Sequence, residues 1–242
     1  MKPSLHTSGI PQEQIVYEDN HILVINKLPS ELVQADKTGD AALSDRIKGF
    51  LKERDHKPGN VFCGVIHRLD RPVSGLVIFA KTSKALSRFN ELFRDKSIQK
   101  NYLAVVKNKP PKEEDTLVHY LLKNEKNNMS KAFSKPVAHA LESRLSYKVI
   151  ARSDKYHLLK IDLHTGRHHQ IRAQLSAIGC PIKGDLKYGF PRNNEGGFIH
   201  LHSYSLQFIH PVRKEQIELS AWPITKDSIW NYFKSQAEHN NI

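Results

Sequence analysis

Segments with the composition of β-strands outnumber the helical segments in this chain, and the two kinds do not alternate strictly along it. Strands are predicted where short runs rich in β-branched and aromatic residues stand between turn residues. They cover residues 15–17, 22–27, 76–80, 101–106, 145–150, 156–163, 200–206 and 216–219. A doubly wound sheet needs regular alternation of strand and helix, so this order predicts a mixed α+β sheet instead.

Four helices are predicted from apolar residues at helical spacing. Asp40 caps the first, Ser83 caps the second, the third runs from Thr165-Gly166 to Gly179, and the last is short. Their inward-facing residues are, in chain order, Leu43, Ile47, Phe50 and Leu51; Leu86, Phe89 and Phe93; Ile171, Leu175 and Ile178; and Ile229, Trp230 and Phe233. The polar residues 123–131 are predicted to form a mobile loop.

Composition limits the class of protein. The chain has 242 residues, of which 39% are hydrophobic, enough for one large domain with its own core. No apolar run reaches about 18 residues and the N-terminus does not resemble a signal peptide, so no membrane span is expected. The two cysteines form neither a disulfide framework nor a zinc pattern, which fits the reducing cytoplasm. The formal net charge of +12 favours a polyanionic partner, and nucleic acid is the first candidate.

One carboxylate stands among basic side chains in the segment His67-Arg68-Leu69-Asp70-Arg71, just before the predicted strand 76–80. Nearby positive charge favours the ionised form of Asp70, and loops beside rigid strands often carry functional residues. A nucleophile, a general base and a structural ion-pair partner all remain open. A metal ligand or a general acid is disfavoured, because the surroundings are cationic and no second acid lies nearby.

A second dense segment covers residues 165–175. The spacing of His164 and His168 would suit a metal on a helix, but a Thr-Gly turn lies between them and two arginines would repel a dication. Arg167 and Arg172 are five residues apart and point to different sides of the helix start. One of them can meet a phosphate near the helix N-terminus and the other a buried carboxylate; a solvated basic helix is the alternative. We interpret the two segments as halves of one active site.

Further motifs stand in order between residues 15 and 222: Asn26-Lys27, Lys100-Asn101-Tyr102-Leu103-Ala104, Thr165-Gly166-Arg167, His169-Gln170-Ile171-Arg172, Gly179-Cys180-Pro181-Ile182-Lys183-Gly184-Asp185, Tyr188-Gly189, Leu201-His202 and His210-Pro211. Together with His67-Arg68-Leu69-Asp70 and Ser74-Gly75-Leu76, they resemble the signature of the RluA-type family of RNA pseudouridine synthases. Val73 and His168 stand where that family often has Thr.

The resemblance implies the pseudouridine synthase catalytic fold, a mixed, mainly antiparallel central sheet with flanking helices. It implies a catalytic domain over residues 15–242 after an N-terminal extension of residues 1–14, without the separate N-terminal RNA-binding domain of many relatives. The implied reaction isomerises specific uridines of ribosomal or transfer RNA without a cofactor or metal. RNA is the implied partner, and a monomer is expected.

The resemblance also assigns site residues. Asp70 matches the essential aspartate, Tyr102 the tyrosine that packs on the target base, and Arg172 the basic residue that pairs with the aspartate. Arg68 matches the arginine that enters the space left by the flipped base, as base extrusion requires. Without the resemblance, Tyr102 would be a core aromatic residue. The residues expected to bind RNA are Arg68, Arg71, Arg167, His169, Gln170 and Lys183.

Two alternatives lie in other functional classes. A non-catalytic RNA-binding protein that keeps the fold is disfavoured by the intact set Asp70, Tyr102 and Arg172. A carboxylate-based glycoside hydrolase needs two cooperating acids, and neither motif segment supplies a second one.

Overall fold

The computed structural model describes residues 9–36 and 39–239 of the chain, and within them lie eleven strands and four α-helices. The strands are β1 (Ile15–Glu18), β2 (Ile22–Lys27), β3 (Gly64–Val65), β4 (Ser74–Ala80), β5 (Gln99–Val106), β6 (Glu114–Asn124), β7 (Met129–Phe133), β8 (Leu141–Arg152), β9 (His157–Leu163), β10 (Leu201–Ile209) and β11 (Gln216–Ser220). The helices are α1 (Leu43–Arg54), α2 (Ser83–Arg94), α3 (Gln170–Ala177) and α4 (Ser228–His239).

The eleven strands form one sheet in the order β1-β2-β4-β10-β5-β9-β8-β6-β7, with β3 paired to β4 and β11 paired to β10. The pairing of β10 with β4 is parallel, and the other strand pairs of the described residues are antiparallel. Helices pack on both faces of this sheet. The predicted mixed, mainly antiparallel sheet with flanking helices is therefore confirmed.

Strands β2 and β4 are buried along their whole length because a helix covers each face of the sheet at this point. On β2, Leu23 and Ile25 pack in the cluster that includes α1, whereas Ile22 and Val24 pack in the cluster that includes α2. Successive strand residues point to opposite faces. An unbroken apolar run is therefore what a strand between two helices requires.

Strand β5 separates α3 from α4 in the same way. Tyr102, Ala104 and Val106 lie in the cluster that includes α3, and Leu103 and Val105 lie in the cluster that includes α4. Tyr102 therefore faces the side of the sheet on which the second motif segment, carried by α3, is packed.

The helix starts differ in part from those predicted. Asp40 does not cap α1: the N-cap residue is Ala42 without a side-chain cap, and the first N–H groups donate to the carbonyls of residues 32 and 33. Asp40 instead forms an ion pair with Arg71 (2.8 Å). The cap of α2 is Thr82 and not Ser83; its hydroxyl accepts a hydrogen bond from the first turn (3.1 Å). No helix of the described residues is long and apolar enough to cross a membrane.

The prediction of a mobile loop over residues 123–131 is wrong. Its ends belong to the antiparallel hairpin of β6 and β7, and only the turn between them is irregular. Strand β6 was not predicted because it buries little more than Leu117 and Leu121. These two residues pair with Leu145 and Leu141 of the neighbouring strand β8. The pairing extends β8 four residues before its predicted start at residue 145.

The predicted N-terminal extension, residues 1–14, lies partly outside the described residues, which begin at residue 9. In the described part, Ile10 is buried in the cluster beneath α1. The side chain of Gln14 donates to the carbonyl of Asn26 (3.2 Å) and to the carboxylate of Glu31 (3.0 Å). Residues 10 and 14 therefore pack against the sheet and do not project from it.

Gly75 stands at a position where a larger residue should destabilise the fold. It has φ +117°, and an added Cβ would lie 2.4 Å from the backbone N and O of Ser203 on the neighbouring β10. We expect Gly75→Ala to lower the free energy of unfolding by about 2–4 kcal/mol, because backbone strain and overpacking add. Urea unfolding measures this. The matched control is Gly49→Ala in α1, where nothing lies within 4 Å; it should be neutral or stabilising by up to ~1 kcal/mol. Equal stability of the two variants would contradict the prediction.

Candidate active site

A cleft of about 1660 Å³ opens beside α3 and contains most of the residues of both motif segments. This volume exceeds the ~300–1,000 Å³ that is usual for small-molecule sites. Among the described residues, nine Lys and Arg but only three Asp and no Glu line the cleft. The basic residues are Arg68, Arg71, Arg94, Lys96, Lys100, Arg144, Arg167, Arg172 and Lys187. The cleft therefore suits an extended polyanion.

Asp70 lies in the loop between β3 and β4, and backbone hydrogen bonds hold this loop on several sides. The carbonyl of Asp70 accepts from Val73 (3.0 Å), that of Arg71 from Ser30 (2.8 Å) and that of Pro72 from Ile199 (3.1 Å). The first of these bonds closes a turn within the loop, and the other two tie the loop to two separate parts of the chain. These bonds fix the backbone position from which the side chain of Asp70 extends.

Two further side chains, the buried Lys27 and the half-buried His67, support the same loop. The ammonium of Lys27 donates to the carbonyls of Leu28 (2.9 Å), Glu31 (3.0 Å) and Arg71 (3.3 Å). Burial lowers the pKa of Lys27 to about 8, so the group is still mainly charged at pH 7. His67 accepts from the N–H of Ile78 (3.1 Å), and burial lowers the pKa of His67 to about 3, which keeps it neutral. Lys27 therefore holds the loop through three carbonyl contacts, and His67 joins the loop to β4.

Arg172 joins two carboxylates. Its Nε and Nη2 donate to the two oxygens of Asp185 (2.7 and 2.9 Å), and its Nη1 donates to Oδ2 of Asp70 (3.0 Å). The side chains of Arg172 and Asp185 are 5% and 1% exposed, whereas that of Asp70 is 31% exposed. Burial lowers the pKa of Arg172, but the hydrogen bonds and charges of Asp185 and Asp70 outweigh it, so the pKa is raised. The guanidinium is permanently charged and shared between the two acids.

Asp70 keeps one oxygen unbonded. Both of its side-chain contacts, with Arg172 and with Nε2 of His169 (3.4 Å), go to Oδ2. Among the described residues Oδ1 accepts no hydrogen bond, and Asp70 lines the cleft. The carboxylate is thus held at one oxygen and available at the other.

Tyr102 lines the same cleft from β5 and is 7% exposed. Burial, with the negative charge of Asp70 as a smaller cause, raises the pKa of Tyr102 to about 12. The phenol is therefore neutral at physiological pH. It can offer a flat ring or donate a proton, but it is not an anionic base there.

The predicted RNA-binding residues divide into two groups. Arg68, Arg71 and Arg167 line the cleft, as does His169 beside Asp70. Lys183 does not lie there: its ammonium contacts Asn194 and lies 5.9 Å from the ring of Tyr156.

Gln170 also lines the cleft, but it is 3% exposed, and its amide is used within the protein. Its Oε1 accepts from the hydroxyl of Thr165 (2.7 Å) and from the N–H of Arg167 (3.0 Å). These bonds hold residues 165–169 as a turn, which is why α3 begins at Gln170 and later than predicted. The helix ends as predicted, before Gly179, which has φ +77°.

Three residues of this site have no role predicted from the sequence: Lys100, Asp185 and Tyr188. The carboxylate of Asp185 holds Arg172, and the ring of Tyr188 lies 4.9 Å from Cζ of Arg172. Lys100 lies 5.3 Å above the ring of Phe93 and forms no ion pair with a described residue. Burial lowers the pKa of Lys100. The need of a buried arginine for a carboxylate was a signal for Asp185; no sequence signal pointed to the other two.

The histidines considered for a metal point to different partners. His164 contacts the hydroxyl of Ser146 (2.9 Å), His168 that of Ser130 (3.0 Å) and His169 that of Tyr188 (2.9 Å). Within the described ranges, no group of three His, Cys, Asp or Glu side chains is arranged to hold a metal ion.

Comparison with known proteins assigns the family. The family model described as RNA pseudouridylate synthase matches residues 21–177, which include the whole segment from β2 to α3. The chain belongs to this family. The resemblance drawn from the motifs is thereby confirmed, and with it the enzyme class, since pseudouridine synthases are isomerases.

Individual relatives cover most of this pseudouridine synthase. It is 32% identical over 249 residues to tRNA pseudouridine synthase C of Haemophilus influenzae, a match that covers 95% of this chain and 99% of the relative. It is 32% identical over 216 residues to ribosomal large subunit pseudouridine synthase C of Vibrio vulnificus, covering 87% of this chain but 65% of that relative. The solved structure of Human RNA Pseudouridylate Synthase Domain Containing 4 shares the fold, with a TM-score of 0.75 at 20% identity and 93% of each chain covered.

The shared guanidinium of this pseudouridine synthase generates a second prediction. Arg172→Met leaves two carboxylates without their common cation, so we expect a loss of about 3–5 kcal/mol in the free energy of unfolding at pH 7. The loss should shrink towards pH 5, because a buried, unpaired carboxylate takes up a proton more readily in the folded state than in the unfolded state.

Urea unfolding at both pH values measures the effect. Arg167→Met is the matched control, because Arg167 is exposed and its side chain donates to a single carbonyl, that of Glu142 (3.4 Å). It should change stability by less than about 0.5 kcal/mol. An Arg172→Met variant as stable as this control would show that the ion pairs do not hold the fold.

Proposed function

We propose that this chain converts specific uridines of structured RNA to pseudouridine, with Asp70 as the essential carboxylate. The observation that carries the proposal is the placement of Asp70. Its Oδ2 is held by Arg172 and its Oδ1 is unbonded among the described residues, in a basic cleft that also contains Tyr102. A non-catalytic RNA-binding protein would not need a carboxylate fixed in this way.

The proposed reaction is balanced without a cofactor. The bond between N1 of the base and C1′ of the ribose breaks, the base turns, and a bond forms between C5 and C1′. The proton on C5 is released and N1 gains one, so the product is an isomer of the substrate. Asp70 can attack the sugar, attack the base or abstract a sugar proton; each role uses the anion.

Tyr102 fits the role of the base-packing residue. Its ring stands on β5 at the side of the cleft, next to the charge of Asp70. Base–aromatic stacking contributes about 1–3 kcal/mol per base in other proteins that bind nucleic acids. Because the phenol stays neutral, we infer that it supports the base by stacking and by proton donation.

Arg68 fits the role of the residue that replaces the flipped base. A base inside a stack cannot rotate, so an enzyme that turns it must first extrude it. Arg68 lies two residues before Asp70, lines the cleft and forms no ion pair with a described residue. Its guanidinium is therefore free to enter the space left by the target uridine.

Transfer RNA is the substrate class to test first. The match with the tRNA pseudouridine synthase of Haemophilus influenzae runs through almost the whole of both chains, whereas about a third of the ribosomal relative of Vibrio vulnificus lies outside the matched part. Ribosomal RNA is the second class, because the identity with the two relatives is the same, 32%.

We also infer that the site is complete in a single copy of the chain. Asp70, Tyr102 and Arg172 all line one cleft of one chain, which supports a monomeric catalytic domain over residues 15–242. Sedimentation at the concentration used for turnover tests this inference.

The Asp70→Asn variant tests the proposed function. It removes the anion and keeps the shape, so we expect isomerisation to fall at least ~100-fold, with RNA affinity within a few-fold because phosphate contacts dominate it. Transfer RNA and ribosomal RNA transcripts carrying tritium at C5 of uridine report turnover by tritium release. Activity above about a tenth of wild type would exclude Asp70 as the essential group. If wild type releases no tritium from either RNA, the enzymatic proposal fails.

Arg68→Ala tests the flipping role. Unstacking a paired base costs a few kcal/mol, and less when the base is already loose. We therefore expect the variant to slow single-turnover reaction on a uridine in a folded stem-loop more than on a uridine in a flexible strand. Arg71→Ala is the matched control, because Arg71 lines the same cleft but is paired with Asp40. An equal loss on both substrates in the Arg68 variant would assign Arg68 to a phosphate or to Asp70 instead.

A further inference from the structure

Two hydrogen bonds and one longer polar contact lead from the β6–β7 hairpin to Asp70. The backbone N–H of Ser130 on β7 donates to the hydroxyl of Tyr188 (2.8 Å). That hydroxyl lies 2.9 Å from Nδ1 of His169, and Nε2 of His169 lies 3.4 Å from Oδ2 of Asp70. Ser130 and Tyr188 are 4% and 6% exposed, and the side chain of His169 is 6% exposed. Three buried groups therefore connect the hairpin to the proposed catalytic carboxylate.

The direction of these bonds follows from counting protons. Tyr188 has one hydroxyl proton and already accepts from Ser130. The acceptor within reach of that proton, among the described residues, is Nδ1 of His169. If Tyr188 donates to Nδ1, neutral His169 must carry its own proton on Nε2. This N–H then faces the carboxylate of Asp70.

His169 is held in place by its backbone and by a second ring. Its backbone has φ +51°, in the left-handed region, and its ring stacks on that of His168 at 3.8 Å between centroids. The hydroxyl of Ser130 donates to the carbonyl of His168 (2.7 Å). The hairpin therefore also holds His168, the residue whose ring stacks on that of His169. The imidazole of His169 has little freedom to choose another partner.

We propose that His169 and Tyr188 are positioning residues for Asp70. The hydroxyl of Tyr188 fixes the tautomer of His169, and the Nε2–H of His169, together with Arg172, holds Oδ2 of Asp70 so that Oδ1 is presented to the substrate. The contact of 3.4 Å is long for a hydrogen bond, as is common for catalytic groups before substrate binds. The inference rests on the proposed function, because it assigns these residues to the same reaction.

The β6–β7 hairpin takes part in this positioning, because the backbone N–H of Ser130 is the donor to Tyr188. The turn of the hairpin also reaches the cleft: Asn128 lines it, and the carbonyl of Asn128 accepts from Lys187 (3.0 Å). The hairpin must be docked on residues 168 and 188 for the tautomer of His169 to be set.

The competing explanation is purely structural. The ring of Tyr188 lies 4.9 Å from Cζ of Arg172, and in this explanation its one task is to pack the guanidinium. Tyr188→Phe separates the two roles, because it keeps the ring and removes the hydroxyl. The matched control is Tyr147→Phe on β8. It removes the hydroxyl of another buried tyrosine, which donates to the carbonyl of Lys112 (3.2 Å) and is not among the residues that line the cleft.

The kinetic test uses single-turnover isomerisation of the RNA that wild type modifies. We expect Tyr188→Phe to lower the rate about 10- to 100-fold, as for other lost positioning contacts, with RNA affinity unchanged. Tyr147→Phe should retain the wild-type rate. His169→Leu should match Tyr188→Phe, and His169→Gln should recover part of the rate, because its amide can donate to Asp70. A wild-type rate in Tyr188→Phe, or equal rates in His169→Gln and His169→Leu, would overturn the proposal.

A second measurement does not depend on activity. The ¹⁵N shifts of His169 should report the Nε2–H tautomer in wild type and in Tyr147→Phe, and a gain of the Nδ1–H tautomer in Tyr188→Phe. A wild-type tautomer that is unchanged by Tyr188→Phe would overturn the proposal even if turnover falls. If wild type shows the Nε2–H tautomer but isomerises neither class of RNA, the proposed function fails while the positioning of His169 by Tyr188 stands.

Discussion

The guanidinium of Arg172 is the charge on which the rest of the active site depends. The buried carboxylate of Asp185 and the partly exposed carboxylate of Asp70 both contact this cation, which offsets the repulsion between them. Asp70 and Arg172 are 102 residues apart in the chain, and Asp185 comes from the segment that follows α3. Removing the cation would therefore remove a link among three segments, together with the contact that holds the proposed catalytic group.

The two acids that share this cation have different tasks because they differ in access. Asp185 is 1% exposed and both of its oxygens are bonded to Arg172, so it serves to anchor the guanidinium. Asp70 is 31% exposed and bonded through Oδ2 alone. Asp185 thus lets Arg172 hold Asp70 firmly without neutralising it completely. The arrangement is consistent with a carboxylate that must stay anionic in a cleft rich in Lys and Arg.

Local periodicity predicted the sheet class, and it predicted α3 with its end at Gly179. The pairing of Asp70 with Arg172 was implied by the family resemblance, because the charged motifs alone left open which arginine meets a carboxylate. Prediction from the sequence failed where the structure of a segment, or the direction of a side chain, depends on residues that are distant in the chain. Strand β6 is half exposed and is a strand because β8 and β7 pair with it. Lys183 looked like a phosphate contact, yet its neighbours in space are Asn194 and Tyr156. Gln170 lies in the basic motif, but its amide oxygen accepts hydrogen bonds within the turn that precedes α3. Side-chain direction, unlike residue type, is set by the tertiary fold.

The position of β10 has a consequence for how the enzyme is made. This strand lies between β4 and β5, although it follows β5 by almost a hundred residues in the chain. Before residues 201–209 exist, the sheet can form only as two halves, with Asp70 beside one and Tyr102 and Arg172 on the other. Contacts of such long range form late in folding. A nascent chain that has left the ribosome up to residue 190 would carry every proposed catalytic side chain and still lack the strand that joins them, so activity must await the last fifth of synthesis.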